Sequence, residues 1–314
     1  MNLLIRALSQ TQLPNRLIDM PGAIQAETRH SAAFSENRGR LWSIAYRMLG
    51  SRTDADDAVQ DAYLRWHGVH AAEIRSPQAW LVTTVTRLCL DRLKQLRTER
   101  EHYTGPWLPE PIVEEPQAPD QAVELASELS VALMAVLERL APEERAAYLL
   151  HEMFDSGYDD IAQILGKSEA ACRQIVSRAV KRVRAERPRV QVSAEAQRRL
   201  LDGLVQALQT RDQEGLLKIL AKDSAWTSDG GGKARAALKV IHGAERVARF
   251  GTGVFHKVRQ FVTFRPVVVN GEPGYAALYN DVLFSVITIR TDGERILDIY
   301  SILNPDKLRA VELH

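Results

Sequence analysis

The sequence predicts a multidomain chain. Two all-α domains are joined by a proline-rich linker, and an α+β domain with a curved antiparallel sheet follows them. Three observations predict this. Residues 31–100 and 121–187 carry helical periodicity without strand-like alternation. Five of the thirteen prolines (Pro106, Pro109, Pro111, Pro116, Pro119) fall within 104–120. From about residue 195, short helices give way to alternating strand-like runs. The implied units are a tail at 1–30, helical domains at 31–103 and 121–190, the linker at 104–120 and the α+β domain at 195–314.

The composition, 45% hydrophobic and 26% charged, excludes collagen-like, wholly disordered and disulfide-scaffold classes. Cys89 and Cys172 each sit in a helical pattern and read as bystander thiols. No metal site or cofactor is expected. No apolar run reaches about 18 residues, and Leu3-Leu4-Ile5 is too short for a signal core. A cytoplasmic protein without membrane contact is therefore expected. The net charge of +1 hides an acidic stretch from Glu110 to Glu128 and a basic one from Lys167 to Arg189. A basic segment can neutralise phosphates, or simply be a solvated helix face.

In the first helical domain, Thr53 and Asp56 form a capping pair for a helix whose core side is Val59, Ala62, Tyr63 and Trp66. Asp54, Asp57 and Asp61 recur on another face beside Gln60. The helix dipole accounts for the first acids but not for Asp61, so a basic protein partner is the sharper reading. Ser76-Pro77 starts the next helix, expected to run to about Arg97. Its apolar arc is Leu81, Val85, Leu88, Cys89 and Leu96. Thr83, Arg87, Lys94 and Arg97 lie opposite, either as a solvated face or as a polar binding face.

Tyr158–Leu165 reads as a short helix with Ile161, Ala162 and Leu165 inward. Gly166 ends it and Ser168 caps a second helix running to about Glu186. This spacing is that of a DNA-binding helix-turn-helix, with an ordinary helical hairpin as the plain alternative. On the second helix, Cys172, Ile175, Val176, Ala179 and Val183 share one arc. Arg173, Gln174, Ser177, Arg178, Lys181 and Arg184 share the other. Arg suits guanine, Gln suits adenine, and the remaining cations suit phosphates.

In the last domain, helices are expected at about 194–210, 213–221 and 244–255. Strands are expected at Ala225–Ser228, Leu238–Ile241, Phe261–Val269, Tyr275–Val282, Leu283–Arg290 and Arg295–Leu303. Asn270-Gly271 and Asp292-Gly293 are hairpin signals. Asp229 could serve an enzyme as a base, and His242 and His256 have no assigned place.

Beyond these patterns, Asp54-Ala-Asp-Asp-Ala-Val-Gln-Asp-Ala-Tyr-Leu-Arg-Trp66 resembles the polymerase-binding helix of extracytoplasmic-function sigma factors. Ala79-Trp80-Leu81 and the helix after it resemble their −10 reader. Asp159-Asp-Ile-Ala-Gln-Ile-Leu-Gly166 resembles their −35 reader. Tyr103-Thr-Gly-Pro-Trp-Leu-Pro-Glu-Pro111 is similar to the linker of the sigma-factor-J-like group, which carries a C-terminal SnoaL-like domain. Asp229-Gly230-Gly231-Gly232-Lys233 and Asn304-Pro305-Asp306-Lys307-Leu308 resemble that group's C-terminal signatures.

The resemblance implies a sigma factor, not an enzyme, with core RNA polymerase and promoter DNA as partners. It implies that Asp54, Asp57, Gln60, Asp61 and Arg65 dock on polymerase. Arg75, Ser76, Gln78, Thr83, Arg87 and Lys94 would take the −10 element, and Arg173, Gln174, Ser177, Arg178 and Lys181 the −35 element. Trp107, Leu108, Pro109, Glu110 and Pro111 would meet the Asp229–Lys233 and Asn304–Leu308 loops. The C-terminal domain would regulate initiation, as an internal inhibitor or as the sensor of a small-molecule ligand in its pocket. As a polyproline-type chain, the 104–120 linker reaches roughly 50 Å, close to the ~55 Å of a 16-base-pair spacer. Two other readings stay open: a ligand-responsive helix-turn-helix regulator that acts without polymerase, and a SnoaL-type enzyme with a DNA-binding appendage.

Overall fold

The computed structural model describes residues 20–69, 74–114, 130–186, 192–256 and 261–313. The expected tail is helical from Met20 onward, because α1 spans Met20–Leu49. Pro21 sits in its first turn, where a missing N–H costs nothing. Residues 1–19 lie outside the described residues.

Helix α2 spans Arg52–His67. Its cap is Ser51, whose hydroxyl accepts from the Asp54 amide, and not the expected Thr53. Starting earlier puts Thr53 inside the helix and frees Asp56 to accept from Trp42 Nε1 at 2.9 Å. Ser76 caps α3, Pro77–Glu101, as the Ser-Pro pair predicts, although the helix outlasts its expected end. Leu41, Ile44, Met48, Trp66, Leu81 and Val85 fill the core between these three helices.

The second helical unit contains α4 (Val131–Leu137), α5 (Pro142–Glu152), α6 (Tyr158–Leu165) and α7 (Glu169–Glu186). Gly166 ends α6 with φ +64°, and the Ser168 hydroxyl accepts from the Ala171 amide to start α7. The buried face of α7 is the predicted arc of Cys172, Ile175, Val176, Ala179 and Val183. In α6 the buried residues are Ile161 and Ile164, whereas Ala162 and Leu165 are only partly covered. Both helical units share one continuous apolar core.

After α8 (Ala194–Thr210) and α9 (Gln213–Ile219), the chain enters a seven-stranded sheet. Its strands are β1 (Val113–Glu114), β2 (Leu220–Asp229), β3 (Ile241–His242), β4 (Val262–Val269), β5 (Glu272–Tyr279), β6 (Val282–Thr291) and β7 (Ile296–Ile302). Their order is β1-β4-β5-β6-β7-β2-β3. Helix α10, Ala244–His256, packs on one face with α8 and α9, and α11, Pro305–Leu308, closes the chain.

The sheet departs from expectation in three ways. It is mixed, because β2 and β7 pair in parallel. These strands are distant in sequence, so no hairpin forces them antiparallel. The run at Leu238–Ile241 reduces to the two-residue β3. The Tyr275–Val282 run is broken by an unpredicted turn at Asn280-Asp281, where both residues have positive φ. Asn and Asp tolerate that region, which suits a tight hairpin. Register shifts in three strand pairs bend the sheet.

The linker does not stay free of the sheet. Its β1 segment pairs antiparallel with β4, matching Val113 to Val269 and Glu114 to Val268.

Candidate nucleic-acid interface and linker clasp

Helices α6 and α7 make a helix-turn-helix with an exposed polar face. Arg173, Gln174, Ser177, Arg178 and Lys181 are all exposed. Arg173 pairs with Glu169 at 2.8 Å and lies over the Tyr158 ring. Arg178 and Arg182 reach Glu144, at 3.9 and 2.6 Å. The exposed Arg173–Glu169 pair contributes little to stability.

On α3, Thr83 bonds its own helix and Lys94 pairs with Asp91 at 2.9 Å. Arg75, Ser76 and Gln78 are exposed at the helix start, next to residues 70–73 outside the described set. Arg87 is already engaged. It donates to the carbonyls of Gln163 and Ile164 at 2.7 and 3.2 Å, at the C-terminal end of α6. A cleft of about 680 Å³ separates the two candidate DNA faces, with Arg87 and Lys94 on one wall and Gln174 and Arg178 on the other. Arg75, Ser76 and Gln78 of one candidate face, and Arg173, Ser177 and Lys181 of the other, are exposed and lie outside this cleft.

On α2, Asp57, Gln60, Asp61 and Arg65 are exposed together. Asp54 departs from this set: it is half-buried and bonds Arg92 at 2.8 Å. Tyr63, expected in the core, is 37% exposed and meets Phe34 edge-on. Leu64, 60% exposed, stands among the polar residues of this face. Sequence reasoning missed it. The clue was an apolar residue off the buried arc.

The linker signatures converge on Asp229. Its side chain is fully buried, at the end of β2. Oδ1 accepts from the Tyr103 hydroxyl at 2.5 Å, and Oδ2 accepts from the Leu108 amide at 2.8 Å and from Lys307 Nζ at 2.7 Å. Lys307 also donates to the Leu108 carbonyl and lies over the Trp107 ring. Asn304 Nδ2 donates to the Tyr103 hydroxyl at 3.0 Å. Burial pulls the Lys307 pKa down to about 8, against the opposing attraction of Asp229. Gly231 has φ +58°, and a Cβ there would lie 2.3 Å from Asn304 Nδ2.

The other side of the linker rests on the first helical unit. The Trp107 ring fills the space beside Gly50, where a Cβ would lie 2.4 Å from it. Arg100 stacks on that ring at 3.9 Å and ion-pairs with Glu138 beyond α4. The Glu110 carboxylate accepts from the Arg52 amide at 2.7 Å, and burial raises its pKa. The Glu110 carbonyl accepts from the Tyr46 hydroxyl at 2.6 Å. Pro109 and Pro111 are buried between these contacts, whereas Lys233 pairs with Asp306 on the surface.

Comparison with known proteins agrees with this layout. Residues 33–99 match the Sigma-70 region 2 family, and residues 130–183 match Sigma-70, region 4. The chain is 37% identical over 296 residues to the ECF RNA polymerase sigma factor SigJ of Mycobacterium tuberculosis, covering 89% of this chain and 93% of that one. This chain belongs to the extracytoplasmic-function sigma factors. The sigma factor is also 30% identical over 285 residues to the probable ECF RNA polymerase sigma factor SigI of that organism, covering 89% and 96%. The crystal structure of M. tuberculosis SigJ superposes with a TM-score of 0.71 at 34% identity, covering 90% of this sigma factor and 100% of that chain. The protein is thus an RNA polymerase sigma factor of the SigJ type with a C-terminal α+β extension. Among the described residues, no helix is long and apolar enough to cross a membrane, and no three metal-ligating side chains cluster.

Proposed function

We propose that this sigma factor regulates itself. Its C-terminal domain clasps the linker and holds regions 2 and 4 with Arg87 and Lys94 of one promoter-reading face turned toward Gln174 and Arg178 of the other. The supporting observation is Asp229, whose buried carboxylate holds Tyr103, Leu108 and Lys307 at once. A linker held this way, with β1 in the sheet, does not span the ~55 Å between promoter elements. Polymerase and promoter engagement therefore require its release.

In the released state, Asp57, Gln60, Asp61 and Arg65 dock on core polymerase around Leu64. Arg75, Ser76, Gln78, Thr83, Arg87 and Lys94 take the −10 element. Arg173, Gln174, Ser177, Arg178 and Lys181 read the −35 major groove. The exposed acidic face of α2 favours this over a regulator that works without polymerase.

The geometry gives no support to an enzyme. Asp229 is fully buried with both oxygens occupied, so no substrate proton reaches it. His242 is exposed on β3, and the His256 side chain lies outside the described residues. The described residues lining the large C-terminal cavity include no carboxylate and no histidine.

The test is the affinity of the full-length chain for core RNA polymerase, with wild type and Asp229→Ala compared. Asp229→Ala is expected to bind at least about five-fold tighter, the lower end of ordinary coupling energies. Equal affinity overturns regulation through the clasp.

A further inference from the structure

The C-terminal domain encloses a cavity of about 770 Å³ between the sheet, α10 and the loops after β2 and β7. That size lies within the roughly 300–1,000 Å³ of small-molecule sites. Its walls are mainly apolar, from Trp226, Phe250, Val254, Phe284, Ile287 and Leu303. Three serines interrupt them. Ser228 and Ser301 are register partners on β2 and β7, and Ser301 Oγ accepts from Trp226 Nε1 at 2.9 Å. Ser285 is only 2% exposed, and its hydroxyl has no partner among the described residues. A buried, unpaired hydroxyl carries a desolvation penalty that a ligand oxygen removes.

The charge at the mouth is one-sided. The charged lining residues are Lys233 and Arg235. Lys233 is committed to Asp306. Arg235 is exposed and makes no ion pair among the described residues. An apolar cavity with a free guanidinium at its mouth and a hydroxyl within fits an amphipathic anion. Arg pairs with carboxylate in a bidentate fork.

We propose that this cavity binds an apolar monocarboxylic acid carrying a second oxygen function, with the carboxylate at Arg235 and the oxygen at Ser285. This rests on the clasp reading for its consequence. The Lys233–Ala237 wall continues directly from Asp229, and Pro305 and Leu308 flank Lys307. Ligand occupancy therefore acts on the two loops that hold the linker.

The test uses the full-length protein and cis-parinarate, a fluorescent fatty acid, displaced by hexadecanoate, its methyl ester or 16-hydroxyhexadecanoate. The acids are expected to displace the probe in the micromolar range and the ester at least about ten-fold less well. Arg235→Glu is expected to weaken both acids by about ten-fold. The hydroxy acid is expected to bind about five-fold tighter than hexadecanoate, one hydrogen bond's worth. Ser285→Ala removes that preference while leaving hexadecanoate unaffected. No probe binding at 100 µM overturns the proposal, and so does binding that neither variant changes. The clasp reading fails separately, through an Asp229→Ala chain whose polymerase affinity is unaltered.

Discussion

Asn270, at the turn between β4 and β5, donates from Nδ2 to the Tyr46 hydroxyl in α1 at 2.8 Å, joining residues 224 apart. Its Oδ1 accepts from the Ile112 amide at 2.9 Å, and its own amide donates to the Ile112 carbonyl. One turn residue thus ties the C-terminal sheet to the linker and to region 2. Asn270→Gly keeps the positive-φ turn and removes the side-chain bonds to Tyr46 and Ile112. A loss of about 1–3 kcal/mol is expected, with faster hydrogen exchange at the Ile112 amide. Unchanged protection there shows that the tie contributes nothing.

Gly231 is the tightest point of the clasp loop. Gly231→Ala places a side chain at φ +58° and against Asn304. A destabilisation of about 1–3 kcal/mol is expected in chemical denaturation. Gly253→Ala is the control. It sits in α10 with nothing within 4 Å of its Cβ position, so it gains up to about 1 kcal/mol.

Lys307 gives the clasp a pH dependence. Asp229, Glu110, Arg100 and Tyr103 face it from β2, the linker and α3. Its pKa falls from 10.5 in the open state to about 8 in the clasp, so the open state binds more protons between those values. The clasp's contribution from this residue is full above 10.5 and is lost as pH falls toward 8. Linker protection by hydrogen exchange, corrected for the intrinsic rate, should rise across that window. Lys307→Met should flatten the rise.

The two ends of the acidic face of α2 behave differently. Asp61 is exposed and makes no ion pair among the described residues, so Asp61→Arg is expected to leave the melting temperature unchanged. It should weaken core-polymerase binding by at least about ten-fold, through a like-charge contact. Asp54→Asn breaks the bond to Arg92 and should lower stability by up to about 1 kcal/mol. Its effect on polymerase affinity should be small. The reverse pattern overturns the assignment of this face.

The helical part was legible because its signals are local. Ser76-Pro77, Gly166 and Ser168 each act within one turn, and the α7 arc follows directly from residue spacing. Thr53 misled because Ser51 is an equally good cap two residues earlier. Asp54 and Tyr63 misled because their surroundings come from α3 and α1, which periodicity within α2 does not reveal. The clasp motifs were visible as resemblance only. Nothing in the spacing says that Asp229 meets Leu108, because that contact spans 121 residues. The pairing of β1 with β4 left no signal either, since Val113-Glu114 is too short to show alternation.

The two faces of the C-terminal sheet are covered by different parts of the chain. One packs under α8, α9 and α10. On the other, Val267, Val269, Leu278, Val286 and Ile302 share a cluster with Leu108 of the linker and Val131 of region 4. One face of the last domain is therefore closed in part by Leu108 and Val131, which precede it by more than sixty residues. Cutting the chain near residue 193 would not yield two intact halves, but two proteins with a raw oily side each. Release of the linker in the intact chain uncovers the same surface. On the proposed clasp reading, the initiating form is the stickier of the two, and whatever opens this sigma factor must also supply a new cover for the sheet it strips.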